Sequence, residues 1–416
     1  MDIFEKIKQN RGPLGKYAKQ AEGYFAFPKL EGEISNKMIF KGKKVLVWSL
    51  NNYIGLCNHP EVRKVDSEST KEWGMGSPMG ARMMSGNTDI HEDFENQISD
   101  FMQKESTILL NFGYQGMLSA IDALVDRQDI IVYDSECHAC ILDGVRLHSG
   151  RRFVFQHNNM KGFEKQLQRA KSLANKGGGG ILVITEGVFG MSGDLGKLKE
   201  ITDLKKKYNF RLFVDDAHGF GTIGEKGIGS GEHLDCQKEI DVLFCTFAKS
   251  LASIGAFICS TADIIEFLKY NMRSQVFAKS LPIPIVLGAI KRLELLIENP
   301  DLREKLWEIA NTLQKGLKDA GFNLGNTESV VTPIYLNGDV AEGTNLSYDL
   351  RENYNIFCSV VTYPIVKKGT ILLRLIPTAL HSLEDVELTI NAFKSVKDKL
   401  TRGEYISKKL IDSKLL

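Results

Sequence analysis

The sequence predicts an α/β protein with a large domain on a mainly parallel central sheet and a smaller α+β domain at the C-terminal end. Three observations predict it. Between about Lys44 and Ile290, short β-branched runs alternate with stretches of helical periodicity, the pattern of strands joined by crossover helices. The strand-like runs are continuously apolar, which marks burial on both faces of a sheet. After Asn299-Pro300 the pattern changes to long helices around two strand-like segments, so a second domain begins nearby. The boundaries read as an N-terminal arm over 1–45, the large domain over 46–290 and the C-terminal domain over 291–416. The 416 residues, at roughly 150 per domain, accommodate two or three domains.

The elements follow in chain order. Met1 to Gln9 is charged from the start and has no apolar core of the kind an export signal needs. Strands are expected at Thr107–Leu110, Ile130–Tyr133, Ile181–Thr185, Leu212–Asp215 and Val242–Phe244. Gly113 and Gly116 open a helix whose positions Met117, Ile121 and Leu124 form an apolar face. Phe163, Leu167, Ala170 and Ala174 mark another helix by their spacing, and the glycines 177–180 form a loop feeding the next strand. The apolar window Leu281–Ile290 is too short to span a bilayer and carries two prolines, so no transmembrane segment is expected. Pro300 sits at a first helical position, and Leu302, Leu306, Ile309, Leu313 and Leu317 repeat at helical spacing until Gly321. Strands near Val330–Leu336 and Thr370–Leu375 precede a long helix capped by Ser382 and Asp385. The tail from Arg402 is charged and uninformative.

Composition excludes several classes. Apolar residues are 43% and charged residues 25%, and 53 Lys plus Arg against 52 Asp plus Glu leave a net charge of +1, so a nucleic-acid partner is not expected. Seven scattered cysteines make a disulfide framework improbable and fit a reducing, cytoplasmic setting. Cys137 and Cys140 have CxxC spacing but no second pair, so they read as small buried residues flanking His138, and no metal is expected. Gly219, Gly221 and Gly224 satisfy GxGxxG, yet more glycines follow in place of a helix, which argues against a dinucleotide fingerprint.

Three signals carry chemistry. Asp215, followed by Asp216 and His218, ends a buried strand, where open α/β sheets bind ligands, though a carboxylate there can equally cap the next turn. Lys249 follows another buried strand among small and apolar residues. Burial disfavours an ammonium unless it is paired or covalently engaged, as in a Schiff base, while an ordinary loop lysine is solvated. Thr246, three residues earlier, offers a hydroxyl. The helix start at Gly113 presents free N–H groups that favour an anion such as phosphate, or simply forms a tight turn. A phosphate-holding helix start, a strand-end Asp and a later Lys are the parts pyridoxal 5′-phosphate (PLP) requires. The carboxylate keeps the pyridine nitrogen protonated and the lysine holds the aldehyde as an imine, with His138 a candidate to stack on the ring.

The segments LNNYIGL, GARMMSGNTDIHEDFE, FGYQGM, DSECHACILDG, EGVFGMSGDL, VDDAHGFG, TFAKSLASIG and LLRLIPTALHS closely resemble the α-oxoamine synthases, PLP-dependent enzymes of fold type I (aspartate aminotransferase-like). The resemblance runs from about Tyr24 to the helix after Ser382. Within the family the likeness is nearest to bacterial serine palmitoyltransferase, through YFAFPKLEGE, QHNNMKGFEKQL, KSLASIGAF and TESVVTPIYL. It implies that Lys249 carries the cofactor, Asp215 partners the pyridine nitrogen, His218 bonds the phenolic oxygen and His138 stacks on the ring. Gly113 and Tyr114 match the backbone phosphate cradle and Thr246 a phosphate hydroxyl. Asn51 and Arg374 match the pair that positions the substrate carboxylate.

The chain also departs from the family pattern. Ala248 and Ala278 stand where relatives commonly have a phosphate-contacting hydroxyl residue, with Lys279 and Ser280 as replacement donors, and Gly190 replaces the usual serine of a VFSM motif. SVVTYPIVKKG also differs from the proline-rich stretch that borders the substrates in serine palmitoyltransferase. The implied reaction is a decarboxylating Claisen condensation of an amino acid with a long-chain acyl-CoA, releasing coenzyme A, on a homodimer. Serine is the first choice, giving a 3-ketosphinganine-type product; glycine, alanine and cysteate are the alternatives. A non-catalytic partner subunit is disfavoured by Lys249. An aminotransferase is disfavoured by LNNYIGL and the C-terminal pattern.

Overall fold

The computed structural model describes residues 1–406; residues 407–416, the end of the C-terminal domain as read from sequence, lie outside the described residues. Two compact units form. One contains Met1–Tyr53, Met191–Gly193 and the described residues from Glu304 onward; the larger contains Ile54–Gly190 and Asp194–Arg303.

The larger unit is built on a seven-stranded sheet. Its strands run in the order Ser106–Leu110, Ala256–Ser260, Val242–Thr246, Arg211–Asp215, Ile181–Glu186, Ile130–Asp134 and Arg151–Phe155. All are mutually parallel except Ala256–Ser260, which pairs antiparallel with both neighbours. The five strands expected from sequence are all present. The central ones, such as ILVITE and VLFCT, are buried at every position, because helices cover both faces and leave no solvent side to reward alternation. One layer of that cover is the helix Gly113–Leu124, whose Met117, Ala120 and Ile121 are buried against Ile108, Leu110 and Phe244. The register sets Glu186 opposite Asp215, and Asp215 opposite Phe244. A parallel sheet brings the carboxyl ends of these strands to one edge, so Asp134, Glu186, Asp215 and Thr246 gather there.

In the smaller unit Lys43–Val47 pairs with Lys37–Phe40 and with Ile356–Phe357, and Ile371–Leu375 lies between Thr332–Leu336 and Ser359–Val361. The helices Val340–Tyr354 and Leu383–Thr401 contribute Leu346, Leu350, Val386 and Phe393 to its core. Ser382 and Asp385 form the expected capping box. Trp48 stacks on His381 at 3.8 Å and donates through Nε1 to Thr389 at 3.0 Å. The N–H groups of Ile376 and Ala379 donate to the carbonyls of Trp48 and Tyr53, so residues 48–53 run beside the end of the strand that carries Arg374. Among the described residues, no helix is long and apolar enough to cross a membrane.

Candidate active site

The strand ends of the larger unit concentrate charge. Asp215 is buried, with Oδ1 accepting the Ala217 N–H at 3.0 Å. Burial raises its pKa, while Lys249, the Ala217 N–H and His138 pull it back. Glu186, beside it on the next strand, is pushed further above the carboxylate range, first by burial and then by the Asp215 charge. Two neighbouring buried carboxylates resist ionising together, and the nearby Lys249 charge acts the other way, favouring the ionised form of both. Lys249 itself lies in the turn after Val242–Thr246, partly open to solvent, where Ala252 N–H donates to its carbonyl at 3.0 Å.

His138 caps the helix Ala139–Leu147, and its backbone N–H donates to Glu186 Oε1. The Cys140 N–H donates to His138 Nδ1 at 3.3 Å and the Cys140 thiol lies 3.0 Å from the same nitrogen. Nδ1 is therefore the acceptor, and the neutral ring keeps its proton on Nε2. Burial of the protein-facing side lowers the His138 pKa, against the pull of Asp215 and with the help of Lys249. The residue is otherwise exposed, an imidazole face presented at the strand ends.

The helix Gly113–Leu124 starts without a side-chain cap, so its first N–H groups are available to an anion. A Cβ at Gly113 would come 3.3 Å from Thr246 Oγ1, so the bare glycine leaves room for that hydroxyl beside the helix start. Tyr114 packs edge-on to His138 at 6.2 Å and donates to Asp143. An anion cradle, a strand-end carboxylate, a lysine and a flat imidazole face are the parts PLP needs, and here they occupy one edge of one sheet. Of the two replacement donors suggested for Ala248 and Ala278, Ser280 is buried and its hydroxyl donates to the Gly80 carbonyl at 3.0 Å, whereas Lys279 is exposed.

Asp216 does different work from Asp215. Its Oδ2 accepts the Ser230 N–H at 2.7 Å, burial raises its pKa to about 7, and a Cβ at Gly187, Gly219 or Gly229 would reach 2.1 Å from its carboxylate. Of the GxGxxG glycines only Gly219 lies against this carboxylate, while Gly221 faces Ser250 and Gly224 faces Glu232, and the stretch forms turns and does not start a helix.

In the smaller unit, Arg374 is buried, and both its terminal nitrogens lie 3.4 Å from Asn51 Oδ1. Tyr53 also hydrogen-bonds the guanidinium, and burial raises its pKa to about 12, so it is a neutral hydroxyl at pH 7. Burial disfavours the Arg374 charge, and the planar fork it presents matches a carboxylate.

The strand-end cluster thus brings together Lys249, Asp215 and His138, with Thr246 beside Gly113, and the smaller unit brings Asn51 to Arg374. His218 is buried three residues beyond Asp215. Sequence reasoning missed Glu186 and Tyr53. A charged residue closing the apolar run ILVITE was a legible signal for Glu186, by the rule that singled out Asp215. Tyr53 stands two residues from Asn51 and had no signal of its own.

The class I and II aminotransferase family matches the chain over residues 43–393. The chain is 58% identical to the cysteate-C-fatty acyltransferase of Capnocytophaga ochracea, over 97% of this chain and 96% of that protein. It is 33% identical to the serine palmitoyltransferase of Sphingobacterium spiritivorum, over 91% and 94% respectively. A solved serine palmitoyltransferase variant from S. paucimobilis, with a bound PLP-myriocin aldimine, superposes with a TM-score of 0.88 at 26% identity, covering 96% of this chain and 100% of that one.

Proposed function

The chain belongs to the class I and II aminotransferase family, as a PLP-dependent α-oxoamine synthase that condenses an amino acid with an acyl-CoA, and we propose that its substrates are cysteate and a long-chain fatty acyl-CoA. The single observation behind this choice is the 58% identity to a cysteate-C-fatty acyltransferase along almost the full chain. Serine, favoured by the wording of the sequence, is the second reading and rests on the 33% relative.

Bound PLP supplies an electron sink for the carbanion formed at the amino acid's α-carbon. Arg374 and Asn51 hold the substrate carboxylate, with Tyr53 fixing the guanidinium. The Lys249 amine takes the α-proton. Asp215 would keep a proton on the pyridine nitrogen, Glu186 fastens the backbone of His138, and the imidazole would lie against the ring. His218 would bond the phenolic oxygen, while Thr246 and the N–H groups of Gly113 and Tyr114 would hold the phosphate. The reading includes a cytoplasmic homodimer, which sedimentation at a range of concentrations checks.

The direct test follows the visible absorption of the PLP-loaded protein during separate titrations with cysteate, serine, glycine and alanine. Saturation by cysteate at the lowest concentration is expected, followed by coenzyme A release on adding a fatty acyl-CoA. Saturation by serine alone would transfer the assignment to serine palmitoyltransfer.

A further inference from the structure

The departure at Gly190 and the segment QHNN were not absorbed by the proposed chemistry, and in the structure they lie along one connected path. A Cβ at Gly190 would stand 2.1 Å from His218 Nε2, 2.5 Å from its Cδ2 and 2.8 Å from its Cε1. The His218 ring therefore rests against the bare Cα of Gly190, in the space where a serine side chain would begin.

The backbone bearing Gly190 is fixed at both ends. Gly187 N–H donates to the Asp215 carbonyl at 2.8 Å, which registers the segment on the end of the strand that carries Asp215. Val188 bridges to Leu195, Phe189 N–H donates to the Asp194 carbonyl at 3.0 Å, and Gly196 N–H donates to the Gly187 carbonyl at 2.9 Å. His157 then clamps this segment to the sheet, with Nδ1 3.0 Å from Asp134 Oδ1 and Nε2 2.6 Å from Asp194 Oδ2. Its ring also meets Phe189 edge-on at 4.3 Å. Asn158 repeats the connection: its N–H donates to Asp134 Oδ2 at 3.0 Å, and its Nδ2 donates to Asp194 Oδ2 at 3.1 Å and to the Leu195 carbonyl at 2.9 Å. Although burial alone would lower the His157 pKa, Asp134 and Asp194 raise it to about 10, so the clamp is an imidazolium between two carboxylates at neutral pH.

We propose that His157 and Gly190 are positioning residues for His218: His157 fixes the Phe189–Gly190 segment to the sheet, and Gly190 provides the surface on which the His218 ring seats. This rests on the reading of His218 as the partner of the cofactor's phenolic oxygen. Such a contact has to be held within about 0.5 Å to be effective, and the supporting residues decide whether it is. A methyl or hydroxymethyl group at 190 would push the ring back, since 2.1 Å is well inside any real Cβ contact.

The test has two readouts. In the PLP-loaded protein, the pH titration of the visible absorption band is measured for wild type, Gly190→Ala, His157→Gln and His218→Gln. In the cofactor-free protein carrying ¹⁵N-labelled histidine, the imidazole resonances are assigned by loss of each signal on substitution. Gly190→Ala and His157→Gln are expected to move the band's apparent pKa in the same direction as His218→Gln, by about half a unit to one unit, and to shift the His218 resonances. If His157→Gln lowers the melting temperature but leaves both readouts at wild-type values, its role is structural and the proposal is overturned. If the His218 resonances shift in both variants while His218→Gln leaves the band's titration unchanged, the seating stands and the cofactor role of His218 falls. Should His157→Gln not fold, Asn158→Ala removes the second clamp and is judged by the same criteria.

Discussion

The strand-end cluster of the larger unit and the Arg374 corner of the smaller one bury charge in opposite ways. Around Asp215, burial of two carboxylates is offset from within, by Lys249 and by the backbone N–H groups of Ala217 and His138. Around Arg374, one cation is steadied by a side-chain amide and a phenol, both neutral. A group of charges that compensates itself suits chemistry in which protons move. A cation held by neutral groups suits recognition of an anion, because the ligand's carboxylate completes the charge balance. The division of labour predicts different kinetic signatures for substitutions in the two places.

The largest effects belong to the cluster. Lys249→Ala removes the amine proposed to carry the cofactor and to move the α-proton, so turnover and the imine absorption should both vanish; normal turnover would sink the assignment. Asp215→Asn keeps the shape but not the charge. It should lower the α-proton exchange rate by about 10²–10³-fold, the scale on which a preorganised electrostatic contact acts, with cofactor content little changed. Exchange at the wild-type rate would show that the pyridine nitrogen does not depend on this carboxylate.

The corner should respond in KM first. Arg374→Lys preserves the charge and removes the fork that two carboxylate oxygens can share. Losing one charge-assisted hydrogen bond, worth about 1.5–3 kcal/mol, corresponds to a KM for the amino acid about 10–100-fold higher, with a smaller change in kcat. A fall in kcat at unchanged KM would break the contrast between the two regions.

His157 allows a test of how the cluster is framed. Its folded pKa of about 10 lies above the ordinary value of 6.5, so its contribution to stability is complete below pH 6.5 and is lost as pH rises through about 10. Wild type should exceed His157→Gln by about 1.5–3 kcal/mol at pH 6, and thermal melts should show the gap closing towards pH 10. A gap of constant size would mean that the ring is neutral throughout.

The same contrast explains what was legible in the sequence. The buried parallel strands and the residues at their ends were, because a continuous apolar run followed by Asp or Lys is a local pattern. Arg151–Phe155 was not, because it lies at the sheet edge, opens with two exposed arginines and buries only Phe155, so its short run Phe153–Phe155 does not stand out as a doubly covered strand. Ala256–Ser260 was not either; it follows a glycine with positive φ and runs against its neighbours, as no βαβ unit predicts. Asn51 and Arg374 are separated by more than three hundred residues, and only the pairing of residues 48–53 with 376–379 brings them together. Their partnership was therefore available through resemblance and not through spacing. Tyr53 depends on that same tertiary contact.

Tyr53 also gives the finest test of the comparison. If its hydroxyl only orients Arg374, Tyr53→Phe removes one hydrogen bond to a cation that keeps Asn51, and the loss is near 1 kcal/mol, about a fivefold rise in KM for the amino acid. Because the phenol is neutral at pH 7, with its pKa raised to about 12, the variant removes no charge, and the pH profile between 6 and 9 should keep its shape. A changed profile would mean that the phenol takes part in proton movement. The corner would then share the work of the strand-end cluster, and the separation between recognising the carboxylate and moving the proton would no longer hold.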